Sequence, residues 1–382
     1  MTRPRVLHVL EAIETGCARH LADLVTHATG VEHHLAIPRE RVGGHTDHAA
    51  IAACVAAGAE VHHVEMRRSP VSPRNAAAVL RVRRLVRRLG IDVVHGHSSM
   101  GGVVARLAAA GTPARRVYTP NGIASGRVPT AVERSLGRGT DRFVAVSTSE
   151  AEAATTLGFV AADRLVVIPN GIDPTPPPPR ALRPLVGVPA GVPLVGSMGR
   201  LVPQKAPEIL LDAWARVAET DPDVRFVLIG DGSPEAGATV DAALARPPLA
   251  GRAHRLPFLA DAAAHLGDLD LFVLTSRFEG GPYSPLEAMR AGVAVVLTDV
   301  VGNRDAVEDG RSGRLVPPDD PAAVAAAILD LLGDEPRRSD LASGGAGQVG
   351  RFDVARMGSA YDALYAELGA LRRRAPRPRS QP

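Results

Sequence analysis

Short apolar runs alternate with longer stretches of helical spacing twice along the chain. In the first half the runs fall at residues 6–10, 34–37, 61–64, 92–95, 116–119, 143–147 and 166–169. In the second half they fall at 194–198, 226–230, 271–274, 293–298 and 314–316. Apolar runs this short, separated by helical patterns, predict parallel strands joined by right-handed crossover helices. Between the halves lies Pro174-Thr175-Pro176-Pro177-Pro178-Pro179, with further prolines at 184, 189 and 193. Proline removes a backbone donor and fixes φ, so neither a helix nor a central strand is expected there. An α/β chain of two domains follows, 1–175 and 193–350, joined by an extended linker over 176–192. A helical segment over 351–370 and a basic, proline-rich tail over 371–382, expected to be disordered, complete the chain.

Composition adds bounds rather than a function. At 382 residues the chain suits two domains. Aromatics are only 3%, so the cores must be built from Ala, Val and Leu. Richness in Ala, Arg, Gly and Pro is what GC-rich bacterial coding produces, so a pI near 9.2 is weak evidence for any partner. Sparse aromatics and the lack of a recognition module argue against nucleic acid. No apolar run reaches the length of a membrane span, and the N-terminus lacks a signal peptide's apolar core. Cys17 and Cys54 form no spacing motif and read as reduced thiols of a cytoplasmic protein. Residues 79–89 form a basic amphipathic helix with an apolar stripe at 82, 85, 86 and 89. Such a helix packs on a sheet, and its arginines would also suit peripheral contact with the anionic inner face of a membrane.

Candidate chemistry concentrates after three of the second-half strands. Following the run at 271–274, Glu279 and Glu287 stand eight residues apart, the first in a Gly280-Gly281-Pro282 loop and the second opening a helical pattern. Carboxylates after a strand and near a helix N-terminus suit a ligand rich in hydroxyls, because charged acceptors make the stronger hydrogen bonds. Following the run at 194–198, Gly199-Arg200 and Lys205 place two cations behind a glycine. A guanidinium fork and an ammonium suit a diphosphate, which gains charge as it leaves. Taken alone, this pair also reads as a solvated surface loop. Gly230-Asp231-Gly232 and Asn170-Gly171 read as turns. His95-Gly96-His97 lacks a third spaced ligand, so no metal site is expected. His97 and Ser98 at a strand end would instead meet a polar substrate. Asp268-Leu269-Asp270 reads as a turn.

With these residues in place, the chain resembles the retaining GT-B glycosyltransferases of family 4. Glu279 to Gly292 is similar to the family's acidic signature, and Gly199-Arg200-Leu201-Val202-Pro203-Gln204-Lys205 to its diphosphate-binding segment. Residues 167–173, 230–232, 302–303 and 316–318 also match. The resemblance implies two Rossmann-like domains whose parallel sheets face an interdomain cleft, with residues 352–368 crossing back to the first domain. It implies a nucleotide-diphosphate sugar, UDP-linked by preference, as co-substrate, with no cofactor and no metal. Arg200, Lys205 and Glu279 would be catalytic. The donor would be bound by Gly16, Gly199, Phe258, Leu259, Gly280, Gly281, Tyr283, Ser284, Leu286 and Glu287, the last through ribose hydroxyls. His97, Ser98 and Asn121 would lie on the acceptor side, facing a glycan, lipid or small-molecule hydroxyl. Asn121 stands where many members have His and carries no proton at neutral pH. The loop over residues 14–20 has one glycine where members often have two. An inactive nucleotide-sugar-binding module is the alternative. A NAD-dependent oxidoreductase is a further one, but residues 14–20 lack its Gly-x-Gly-x-x-Gly.

Overall fold

The computed structural model describes residues 3–41, 45–123, 127–259 and 261–374. The chain divides into two compact units, Met1–Gly171 together with Val354–Pro382, and Ile172–Asp353.

In the first unit seven strands alternate with helices: β1 (Arg5–Leu10), α1 (Thr15–His27), β2 (Glu32–Ile37), α2 (His48–Ala56), β3 (Glu60–His63), α3 (Pro73–Arg88), β4 (Val93–His97), α4 (Ser98–Ala109), β5 (Arg115–Thr119), α5 (Arg127–Gly137), β6 (Arg142–Ala145), α6 (Thr148–Thr156) and β7 (Leu165–Val167). They form a parallel sheet in the order β3-β2-β1-β4-β5-β6-β7. Period-two geometry sends alternate residues of β1 to opposite cores. Val6 and Leu10 join α1, while Leu7 and Val9 pack toward α3 and α4.

The second unit contains β8 (Leu194–Met198), α7 (Pro207–Thr220), β9 (Arg225–Ile229), α8 (Pro234–Leu244), β10 (Ala253–Leu256), β11 (Leu271–Leu274), α9 (Tyr283–Arg290), β12 (Val295–Thr298), α10 (Asn303–Ala306), β13 (Arg314–Val316), α11 (Pro321–Gly333) and α12 (Glu335–Gln348). Its parallel sheet has the order β10-β9-β8-β11-β12-β13. Local chemistry sets the helix starts. Asp47, Ser147, Ser233, Asp320 and Asp334 each accept a backbone N–H of the first turn. The last helix, α13 (Val354–Arg374), belongs to the first unit. It buries Met357, Tyr361, Leu364, Tyr365 and Leu368 in the core that holds α1.

The strand runs of the first half all appear, shifted by a residue or two at their ends. The second half has one strand more than its apolar runs indicate. Strand β10 reads Ala-His-Arg-Leu and carries no apolar run, because it pairs only with β9 at the sheet edge. The proline-rich segment is not a free linker. Leu182, Val186 and Val188 are buried in the second unit's core, and Arg183–Val186 forms a 3-10 turn. Asp268 accepts the amides of Leu182 (2.6 Å) and Arg183 (3.2 Å), while Asp270 holds the Arg183 guanidinium at 2.8 Å. Proline stiffness and these two acids dock the segment; the Asp268-Leu269-Asp270 turn is its clamp. Helix α3 buries Val82, Leu85 and Val86 of the predicted stripe, with Asn75 and Ala78 before them, while Leu89 lies just past the helix end and is half-buried. Of the tail, residues 371–374 continue α13, and residues 375–382 lie outside the described residues. Among the described residues no helix is long and apolar enough to cross a membrane.

Candidate active site

Strand order reverses once in each sheet, beside β1 and beside β8. In open α/β sheets the crevice at such a reversal, beyond the strands' carboxyl ends, is where ligands bind.

In the second unit the loops after β8 and β11 meet at this reversal. Gly199 donates its N–H to Ile229 O at 3.0 Å. Its neighbour Gly230 has φ +147°, and a Cβ there would lie 2.0 Å from Gly199 O, so only glycine allows the approach. The loop then carries Arg200, half-buried, and ends on Ala206 in the left-handed region (φ 47°), where α7 begins. Across from it, Glu279 receives Lys205 Nζ at 2.5 Å on Oε1, and the Ser276 hydroxyl donates to the same oxygen at 2.5 Å. Gln204 Nε2 reaches Oε2 at 3.4 Å and Phe278 O at 2.9 Å. Backbone bonds fix both loops: Arg277 N to Gln204 O, 2.8 Å, and Glu279 N to Val301 O, 3.0 Å. The Glu279 side chain is only 7% exposed and that of Lys205 18%. A buried carboxylate needs such a partner, because desolvating an unpaired charge is costly. Gly302 (φ +85°) completes the seat, since a Cβ there would lie 2.9 Å from Glu279 Cβ.

Helix α9 starts directly after Pro282, and the first turn of a helix has no internal acceptor for its N–H groups. Tyr283, Ser284 and Leu286 thus bring amides to a helix N-terminus, a site suited to anions, whereas Pro285 has none. The Leu286 side chain is core, so only its backbone is placed to serve a ligand. Glu287 is buried in the middle of α9, not at its start. Phe258 follows β10 with its ring 58% exposed, and its amide donates to Asp231 Oδ2 at 2.8 Å. Leu259 packs against the core beside it.

In the first unit, three non-glycine residues take left-handed backbone conformations in the segments that follow adjacent strands: Thr15 (φ 44°) at the start of α1 after β1, Ser98 (φ 58°) after β4 and Asn121 (φ 55°) after β5. Strain of this kind persists only where packing imposes it, and it concentrates at functional sites. Gly16 is the second residue of α1. Ser98 opens α4, which packs so closely that a Cβ on Gly101 would lie 2.5 Å from Val9 O and one on Gly102 2.2 Å from the Tyr118 ring. The side-chain amide of Asn121 is buried at both polar atoms and makes no hydrogen bond among the described residues.

His97 departs from the sequence reading: it lies within β4 and is fully buried. Its ring ends a chain of imidazoles. His33 Nε2 bonds to Ala28 O (2.7 Å), His33 Nδ1 to His8 Nε2 (2.9 Å) and His8 Nδ1 to His97 Nε2 (3.0 Å). A carbonyl only accepts, so His33 carries its proton on Nε2 and its Nδ1 accepts from His8. His8 Nδ1 accepts from His97 in turn, leaving His97 Nδ1 as a bare acceptor with no partner among the described residues. Burial, reinforced by neighbouring imidazoles, holds His8, His95 and His97 well below the usual histidine range. His95 closes on α13 through Tyr365 Oη at 2.6 Å and on Thr119 Oγ1 at 2.8 Å.

Comparison with known proteins decides the class of this site. Residues 15–176 match the family model described as Glycosyltransferase Family 4, and residues 192–334 match that described as Glycosyl transferases group 1. A D-inositol 3-phosphate glycosyltransferase of Stackebrandtia nassauensis is 31% identical over 316 residues, covering 76% of this chain and 71% of the relative. One of Geodermatophilus obscurus is 33% identical over 329 residues, covering 78% and 72%. The chain is a family 4 glycosyltransferase. Among solved structures, the Anabaena HepE protein, in complex with UDP and glucose, aligns with a TM-score of 0.82 at 23% identity, covering 96% of this chain and all of the other. Sucrose-phosphate synthase of Thermosynechococcus elongatus aligns with a TM-score of 0.82 at 20% identity, covering 97% and all of the other. These likenesses show the GT-B fold, two Rossmann-like parallel-sheet domains.

Several residues that shape this glycosyltransferase's loops were missed in the sequence. Ser276 and Gln204 fix Glu279, and Asp231 fixes the loop of Phe258. Glu150 accepts from Gly122 N (2.6 Å) and Val146 N (2.8 Å), holding the Asn121 loop. Its signal was present as the capping box Ser147-Thr148-Ser149-Glu150. Arg41 pairs with Glu11 and Glu14 under the loop after β1, a contact between distant residues that no local pattern announces.

Proposed function

We propose that this glycosyltransferase moves a hexosyl unit from a UDP-sugar to a hydroxyl of a glycan, lipid or small-molecule acceptor, with retention of anomeric configuration and no metal in the donor site. The observation that carries this reading is the Lys205–Glu279 pair at the strand reversal, with Arg200 on the same loop. Arg200 and Lys205 would meet the diphosphate, the α9 amides and the Gly280-Gly281 turn the sugar, Glu287 the ribose, and the exposed Phe258 ring the base. A charge pair at 4 Å contributes about 4 kcal/mol at an effective dielectric of 20. Two cations on the departing diphosphate would therefore supply a substantial part of the barrier reduction without a metal. The leaving phosphate oxygen would take the acceptor's proton on the face from which it departs. In the first unit, Ser98 and Asn121 would meet the acceptor, with His97 behind them. The arginines of α3 at positions 81, 84, 87 and 88 are exposed beside exposed Leu80, and the helix has no acid in its first turn. We extend the proposal to peripheral contact of this face with anionic lipid.

The test is turnover of a panel of UDP- and GDP-sugars with hydroxyl acceptors, D-inositol 3-phosphate among them because relatives carry that name. Proton NMR of the product reads the anomeric configuration. Retention with a UDP donor, abolished by Arg200→Ala, supports the reading. Inversion, or no donor turned over and Arg200→Ala without effect on nucleotide binding, overturns it. Co-sedimentation with phosphatidylglycerol vesicles, lost in an Arg84→Glu, Arg87→Glu variant, tests the lipid contact.

A further inference from the structure

At the outer edge of the first unit's sheet, away from the donor loops in sequence and confined to β2 and β3, three side chains converge. Parallel register sets His34 beside Glu60, and His62, two residues on, projects to the same face of the sheet. His34 Nδ1 is 3.2 Å from His62 Nε2 and 3.3 Å from Glu60 Oε2, and His62 Nε2 is 3.8 Å from Glu60 Oε1. Zinc with nitrogen ligands at about 2.0–2.1 Å in tetrahedral geometry separates neighbouring donor atoms by about 3.3 Å. The separations from His34 Nδ1 to His62 Nε2 and to Glu60 Oε2 match such an edge, and the 3.8 Å from His62 Nε2 runs to the other carboxylate oxygen, so a rotation of the exposed Glu60 carboxylate would bring one oxygen to both imidazoles.

We propose that His34, Glu60 and His62 form a zinc site that clips the edge strand β3 to β2. Two imidazoles and a carboxylate are a ligand set that zinc accepts, and Glu60 neutralises one of its two charges. The His34 and His62 side chains are 11% and 10% exposed, whereas that of Glu60 is 61% exposed, so a fourth ligand would enter from solvent on the Glu60 side. Charges nearby do not block the cation. Arg5 is paired with Glu32 at 2.7 Å, and Arg88 at the end of α3, which opposes positive charge at His62, is offset by Glu60. An edge strand exposes unpaired backbone groups, and a metal staple would suppress its fraying.

A second convergence, His8, His95 and His97, is a poorer site. It is fully buried, so a fourth ligand could not enter from solvent.

The experiment uses the full chain without a histidine tag, chelator-stripped and then titrated with zinc. Expected are one equivalent bound, a rise in melting temperature of about 5 °C at saturating zinc, and binding weakened at least about 100-fold in both His62→Asn and Glu60→Gln. Glu60→Gln guards against misfolding, since Glu60 is exposed, and it should leave nucleotide-sugar affinity unchanged. No stoichiometric zinc, or zinc bound equally well by His62→Asn and Glu60→Gln, overturns the proposal. Either result leaves the glycosyltransferase reading standing.

Discussion

Lys205 and Glu279, separated by 74 residues of sequence, meet at 2.5 Å where the loops after β8 and β11 come together. The pair occupies the strand reversal of the second sheet, and Ser276 and Gln204 saturate the same carboxylate. One ion pair thus joins two loops whose residues are proposed to bind diphosphate and sugar.

Removing the cation should therefore affect both stability and chemistry. Lys205→Ala leaves a carboxylate that is 7% exposed without its charge partner. Breaking such a pair costs on the order of 3 kcal/mol, read as a lowered denaturation midpoint. Turnover should fall about 10²–10³-fold. In Lys205→Met with Glu279→Gln, the stability loss should be smaller than the sum of the single losses, and a double-mutant cycle measures the coupling.

Glycine at position 230 is required by contact as well as by φ. Gly230→Ala would force a Cβ to within 2.0 Å of Gly199 O. A loss of about 2 kcal/mol or more is expected, together with weaker nucleotide binding, because the Gly199–Arg200 backbone must move. Chemical denaturation and calorimetric titration with UDP check the two effects. Unchanged UDP affinity would separate this loop from the donor.

Acid should destabilise the first unit through its buried imidazoles. Burial lowers His8, His95 and His97 well below the ordinary value, and lowers His20 to about 4. A folded-state value below the unfolded one means that the unfolded chain binds protons first. The stabilising contribution is complete above about pH 6.5 and is lost as pH falls, for His20 through the interval down to about 4. Each such group contributes a slope of up to about 1.4 kcal/mol per pH unit. Stability measured between pH 7.5 and 5 should fall, and His20→Asn should flatten the slope.

Asn121 combines a left-handed backbone with a buried side-chain amide that has no partner among the described residues. Asn121→Gly should relieve strain, leaving stability equal or raised by up to about 1 kcal/mol, while transfer to acceptor falls at least tenfold. Equal activity in this variant would remove Asn121 from the acceptor side.

The apolar runs were sufficient to place two parallel sheets and all seven strands of the first, because strands covered on both faces are rich in apolar residues even where histidines interrupt them. They missed β10, whose edge position relaxes that demand. The glycines and charges at 199–205 and 279–287 were legible as chemistry because they follow strands directly. Three things required the tertiary structure. Asp268 and Asp270, far along the chain, convert a proline-rich linker into part of the second unit's core. His97 reads as a strand-end ligand in sequence, yet the packing of α13 against β4 and α1 buries it among imidazoles and tyrosines. The partnership of Lys205 with Glu279 likewise depends on which strands become neighbours. Local patterns fix the period and the punctuation of a chain, whereas contacts between residues tens or hundreds apart arise only when the whole sheet order is set.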